Sequence, residues 1–493
     1  MSQPSFRNLF KDVAIYGFGD FIFRAASLLT LPIYSRVFTP ADYGVLSYVL
    51  TITNIMSAML ALGFASAYSL YFFEATTDKE KQLVTSTCLW FIAIWSFAIS
   101  LVGLPFTATI SEWSFRTSQY GLLIKLAFLT VPLGLINTLC GQVLRNEFKA
   151  GLFTSLNVAS AFLTVGFGLY GVLVLKLGLM GVIGGALLAA CVILPVRLWT
   201  VRGMLRLKFS SERLKQLLAY GLPLLPMTVA YWIFEVSDRI VLGKLSTLEQ
   251  LGLYSLANTL TSGLAFVNGA LGQAWSPHAF KLRMERPDLA PAFFGQVLTY
   301  ILVAFGILAV GISVFAHEVL VILSTPRFYP AAFAIGPLAL GFVAYASTQV
   351  TAAGLSLGKK TTYFAIFSWI AAAINIGLNV LFVARWGMMA ASWSTAASYI
   401  FLTFAYMLSS QKYFHVSYEK QRAIMVSLGT VIFILAIPLL PHPKFFLSVV
   451  MKIVYCALYV ALLFFFHVLD KREIGIMLRL WQELRGRTIG EVL

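Results

Sequence analysis

Residues 16–73 hold two long apolar runs, separated only by Thr39-Pro40-Ala41-Asp42-Tyr43-Gly44. Each run exceeds the ~20 residues that a helix needs to cross a hydrocarbon core. The turn supplies a helix breaker, a capping acid and a glycine, which suits a tight reversal at a membrane surface. The stretch therefore reads as two antiparallel membrane helices. The rest of the chain repeats the theme: 59% of the 493 residues are hydrophobic and 11% are charged, against roughly 25% charged in soluble proteins. A porin-type barrel is excluded, because its strands alternate in polarity instead of running apolar for twenty residues. The first run is longer than the core of a cleavable signal, so no signal peptide is expected.

Hydropathy places fourteen spans at about 10–36, 43–73, 83–109, 119–145, 152–176, 179–200, 215–243, 250–280, 292–316, 331–357, 361–384, 388–410, 422–440 and 446–468. The expected fold class is all-α and polytopic. The second half of the chain echoes the first. Tyr220-Gly221 answers Tyr16-Gly17, and Gly252 and Ser255 answer Gly44 and Ser47. Gly387-Met388-Met389-Ala390 answers Gly178-Leu179-Met180-Gly181. Each half holds an even number of spans, so the two are parallel repeats, and a substrate path between them is expected. The domain expectation follows: a six-helix lobe over 1–200, a linker over 201–214, a second six-helix lobe over 215–410, two appended helices over 411–468, and a tail over 469–493. In that tail Ile474, Met477, Trp481 and Leu484 fall near one helical face, which predicts an interfacial helix.

The net charge of +16 does not point to nucleic acid, because the basic residues are spread over loops and form no single patch. With the N-terminus inside, most Lys and Arg fall on inner segments. The outer ones keep only Arg36, Arg116, Lys176, Lys244, Arg327, Arg385 and Lys444. The positive-inside rule then places both termini in the cytoplasm. The basic linker from Arg197 to Lys215 suits an anionic inner leaflet. Cys88, Cys140, Cys191 and Cys456 are isolated within apolar runs and read as packing residues.

No catalytic constellation is present. No phosphate-binding glycine loop precedes a Lys-Ser or Lys-Thr pair, no GxSxG occurs, and the five histidines are scattered. No cofactor or metal is expected, and the chain is not expected to be an enzyme. Transport remains, and its candidates are the polar residues within spans. Asp20 and Arg24 share one helical face. They form either a self-neutralising pair or an anion site in which the Arg24 guanidinium holds phosphate oxygens. Lys125 either snorkels to the outer interface or lines a cavity. Glu235 and Arg239 repeat the four-residue spacing, with Asp238 beside them. They pair structurally, or an acid among them couples transport to a proton or a sodium ion. The candidate substrate-binding set is thus Arg24, Lys125 and Arg239, and the candidate coupling set is Asp20, Glu235 and Asp238. Asn54, Asn258, Asn268, Gln273, Asn375 and Asn379 either line a polar path or join helices by hydrogen bonds. Pro223 and Pro226 allow the seventh span to bend.

The segment Leu31-Pro32-Ile33-Tyr34-Ser35-Arg36-Val37-Phe38 and the turn that follows it resemble the bacterial polysaccharide transporter family. These are the O-antigen and capsule-unit flippases of the multidrug/oligosaccharidyl-lipid/polysaccharide exporter superfamily. Asp238-Arg239 and Gln142-Val143-Leu144-Arg145-Asn146-Glu147 are similar to that family as well. The resemblance implies two six-helix bundles around a central cavity in a bacterial inner membrane. It also implies that an undecaprenyl-diphosphate-linked oligosaccharide, as in lipopolysaccharide or capsule assembly, moves from the inner to the outer leaflet. Other glycan-assembly proteins are then possible partners. Two alternatives stay open, a cation-coupled multidrug exporter of the same superfamily and a non-transporting scaffold for glycan assembly. The intramembrane set of Arg24, Lys125, Arg239 and Lys452 against Asp20, Glu235 and Asp238 is slightly positive, which disfavours cationic drugs as cargo.

Overall fold

The computed structural model describes residues 30–468, save 286, 359, 361, 442–444 and 467; several side chains within 224–235 and 273–284 also fall outside the description. The regular structure among the described residues is helical throughout. Residues 30–37 form the described end of the first helix, α1. There follow α2 (Pro40–Leu60), α3 (Phe64–Glu74), α4 (Asp78–Gly103), α5 (Thr107–Phe115), α6 (Gly121–Asn146), α7 (Ala150–Leu169), α8 (Leu179–Val201) and α9 (Ser211–Gly221). The second half holds α10 (Leu225–Leu245), α11 (Leu248–Glu285), α12 (Ala290–Val314), α13 (Ala316–Leu323), α14 (Ala332–Thr351), α15 (Ala353–Leu357), α16 (Thr362–Ser410), α17 (Lys420–Ala436) and α18 (Phe445–Phe465). Among the described residues ten helical stretches are long and apolar enough to cross a membrane. The helices α10 and α11 are of similar length but more polar. Side chains such as Ile94, Leu408 and Ile432 are exposed, and so much outward-facing apolar surface calls for hydrocarbon around it.

The expected spans from the second to the fourteenth fall on these helices, with two instructive departures. The second span is not continuous. Leu62 and Gly63 take left-handed φ values of 48° and 69° between α2 and α3. Gly63 abuts Gly221, and a Cβ there would come within 2.6 Å of the Gly221 carbonyl oxygen. The irregular backbone is thus packed against protein, the condition under which a broken helix is tolerated at membrane depth. Conversely, the eleventh and twelfth spans run together as α16, divided only at Gly387 with φ 50° and ψ −130°. Gly178, its predicted counterpart at the start of α8, has φ 57° and ψ −134°. The two landmark glycines share one backbone conformation that a side-chain-bearing residue adopts only under strain.

Local chemistry explains the ends. Thr39 and Asp42 cap α2 reciprocally: Asp42 N donates to Thr39 Oγ1 at 3.2 Å, and Thr39 N donates to Asp42 Oδ2 at 2.9 Å. Pro40 occupies the first turn, where its missing N–H costs nothing. Leu222–Leu224, around Pro223, form a tight turn between α9 and α10, where the sequence predicts a bend.

The chain divides into two compact units. The first holds the described residues up to Leu260, with Ile322–Ala331 and Ser368–Ser394. The second holds Thr261–Val321, Ala332–Phe367 and the described residues from Thr395 on. Tyr68, Phe72, Val84, Cys88 and Cys140 pack in the core of the first. Cys191 is exposed, so the packing reading fails for that cysteine. Phe294, Leu298, Phe305, Val310 and Tyr459 pack in the core of the second. There Lys452 of α18 donates to both carboxylate oxygens of Glu318 in α13, at 2.7 and 2.6 Å. Ser448 donates to the same carboxylate at 2.6 Å, and all three residues are buried.

Candidate functional site in the first unit

Asp20 and Arg24 lie outside the described residues, as does the side chain of Glu235. The described part of the candidate site centres on Asp238, near the end of α10. It is 3% exposed. Its Oδ1 accepts a hydrogen bond from Asn379 Nδ2 at 2.6 Å, and its Oδ2 accepts from the Tyr254 hydroxyl. Asn379 Nδ2 also donates to Asn375 Oδ1 at 3.0 Å, and Ser237 Oγ donates to that oxygen at 2.6 Å. Asn375 and Asn379 stand four apart and so share one face of α16. Three helices therefore converge: α10 brings Ser237 and Asp238, α11 brings Tyr254, and the first half of α16 brings the two asparagines. Asn375 Nδ2 and Asn379 Oδ1 remain buried without a partner. A buried carboxylate so placed, with Asn379 Oδ1 as a further acceptor beside it, can take up a proton or a small cation.

A cavity of about 370 Å³ adjoins this cluster. It is apolar, walled by α2 (Ile55, Met59), α10 (Trp232, Val236, Ile240) and Ile376 of α16, and Ser237 lines it with its hydroxyl turned to Asn375. Arg239 is half-buried in the last turns of α10. Lys125 is exposed, one turn into α6, a position that lets its ammonium reach an interface.

Below the cluster, α2 and α11 meet through equivalent residues of the two repeats. Ser255 Oγ donates to Ser47 Oγ at 2.6 Å. A Cβ on Gly44 would overlap the Leu248 carbonyl, and one on Gly252 would overlap that of Pro40. The contacts are reciprocal, as at a local two-fold axis, and only glycine permits the approach.

The sequence reading missed several residues. Arg197, assigned to the linker, belongs to α8 and is 5% exposed. It donates to the Asn137 carbonyl at 3.0 Å and to Asn157 Oδ1 at 2.6 Å, joining α6, α7 and α8. Its signal was the apolar run continuing past it through Leu198 and Trp199. Glu318 falls between predicted spans, so hydropathy does not single it out. Its pairing corrects the charge argument. With Lys452 neutralised, Arg24, Lys125 and Arg239 stand against Asp20, Glu235 and Asp238, and the balance no longer disfavours a cationic cargo.

The family-like segments prove to be joints. Gln142 donates to Ser69 Oγ at 2.7 Å, which fastens α3 to α6. Ser35 donates to the Leu323 carbonyl at 3.1 Å, and Tyr43 stands edge-on to Phe328.

A family model described as "Polysaccharide biosynthesis protein" matches residues 33–333. Among solved structures, the lipid II flippase MurJ in an inward closed conformation is similar with a TM-score of 0.74 at 13% identity, over 92% of this chain and 99% of that one. An inward-facing multidrug resistance MATE family transporter of the MOP superfamily gives 0.59 at 16% identity, over 82% and 96%. A mutant of the Vibrio cholerae MATE transporter VcmN gives 0.56 at 12% identity, over 82% and 96%. No curated protein matches by sequence. At such identities the structural likeness establishes the fold alone, a polytopic all-α one.

Proposed function

The chain belongs to the polysaccharide biosynthesis protein family, and from that premise we propose that it is a lipid-linked glycan flippase. Its cargo is an undecaprenyl-diphosphate-linked oligosaccharide, carried from the inner to the outer leaflet of a bacterial cytoplasmic membrane by alternating access. The sugar and diphosphate need a polar, cationic path, while the polyprenyl tail can stay in hydrocarbon. Arg24 and Arg239 supply guanidinium forks for phosphate oxygens, with Lys125 as a further cation. Asp238, with Asp20 and Glu235, couples the cycle to a proton or a sodium ion. Both termini face the cytoplasm. The expected two six-helix lobes would rock against each other to alternate access.

The observation that carries the alternating-access reading is the reciprocal contact of Gly44 with Leu248 and of Gly252 with Pro40. Repeats related by an axis along the membrane normal can rock about it, and a contact made by equivalent residues opens symmetrically when they do. The test is reconstitution of the purified protein in vesicles with a fluorescent undecaprenyl-diphosphate oligosaccharide. Transfer of the label to the opposite leaflet, above protein-free vesicles, is expected. Absence of transfer by folded protein refutes the flippase and leaves the scaffold reading. The fold is shared with multidrug exporters, so drug susceptibility of a deletion strain separates that reading; unchanged susceptibility is expected.

A further inference from the structure

At one end of the first unit the last turn of α5, the end of α10 and the start of α11 enclose a second cavity, of about 340 Å³. That volume lies in the range of small-ligand sites. Its polar walls are Trp113, Ser114, Arg116, Lys244 and Ser246. Both ionisable residues lining it are cations. Glu112 and Glu249 are exposed on the flanking helices and do not line it. Lys244 lies over the Trp113 ring, 3.3 Å from its centroid, and donates to the Trp113 carbonyl. An ammonium has three donors, so this bond does not exhaust it. Desolvation first, and the nearby Arg116 guanidinium second, push the Lys244 pKa below that of an ordinary lysine. Two like charges are thus held close where an anion would relieve them.

Two further features favour an anion. The cavity opens on the N-terminus of α11, a helix of 38 residues, whose first N–H groups and dipole favour negative charge. Ser114 is 3% exposed and lines the cavity. Its hydroxyl and the adjacent Tyr48 hydroxyl lie buried without a well-formed hydrogen bond. A buried donor left in this state calls for a partner.

We propose that this cavity binds a phosphate or diphosphate group, with Arg116 and Lys244 as its counter-charges and Ser114 as a neutral donor. Arg116 and Lys244 lie on segments that the basic-residue distribution assigns to the outer side. On the flippase reading, on which this role rests, the site receives the diphosphate as the lipid-linked sugar reaches the outer leaflet.

The experiment is calorimetric titration of the full-length protein in detergent with inorganic pyrophosphate at low salt, repeated in competition with geranylgeranyl diphosphate. Binding is expected, weakened about tenfold or more by the double change Arg116→Gln with Lys244→Met and a few-fold by Ser114→Ala. Competition by the prenyl diphosphate assigns the site to a lipid headgroup. Pyrophosphate binding without competition assigns it to a free anion and overturns the exit role. Unchanged affinity in both the double variant and Ser114→Ala overturns the site, and either variant suffices if the other fails to fold. If wild-type vesicles move no glycan while pyrophosphate binding depends on Arg116 and Lys244, the flippase reading fails and the anion site stands.

Discussion

Asp238 was legible in the sequence as a charge within an apolar run, and its depth in the fold agrees. Its partners were not legible. Asn375 and Asn379 showed only as two amides one turn apart, because a hydrogen bond to a residue far along the chain leaves no local pattern. The environment sets a sharp expectation. Asp238→Asn keeps the shape but removes the titrating group, so transport should fall at least about tenfold, the size of a lost charge-assisted bond, and lose its ion dependence. If Asp238→Asn transports normally and lowers only the melting temperature, the cluster is structural. Arg24, outside the described residues, is tested by comparison. Arg24→Lys should retain partial export, because the charge survives and the fork does not. Arg24→Ala should abolish export with the protein still inserted. Restoration of export by adding Asp20→Ala would show that Arg24 only neutralises Asp20.

Helix boundaries were the most legible feature, because capping residues and apolar length are local properties. The breaks were less so. Gly63 looks like any membrane glycine until its close approach to Gly221 is seen. The pairing of α2 with α11 was foreshadowed by the repeat landmarks, but not that the landmarks touch one another. That contact can be locked. In the double variant Ser47→Cys with Ser255→Cys, oxidation should stop transport and reductant should restore it, if the contact opens in each cycle. Full transport by the cross-linked protein would show that α2 and α11 never part there. The joint between α13 and α18 gives a stability expectation. Lys452→Met strands the buried Glu318 and should cost about 3–5 kcal/mol, while the double change with Glu318→Met should recover most of it. Thermal unfolding in detergent measures both.

For the whole molecule, the fold class and family were readable from apolar run length and a few spaced motifs, whereas the cargo was not, since those motifs serve as joints. Topology is the expectation at this scale. Cysteine tagging in intact cells should label positions 116 and 327 from outside and leave 208 and 479 unlabelled; external labelling at 208 would invert the assignment. The ion pair between α13 and α18 has a further consequence, for biogenesis. Glu318 leaves the ribosome long before Lys452 does, so α13 follows α12 with an acid that has no counter-charge. Lys452 in turn meets an insertion cost of about 2.5–3.5 kcal/mol if it lies at the centre of an isolated helix. Each residue therefore lowers the cost of the other, and α18 should insert more efficiently when α13 is already in place. A nascent chain that stops before α18 would leave Glu318 stranded, an unsettled helix for membrane proteases to find.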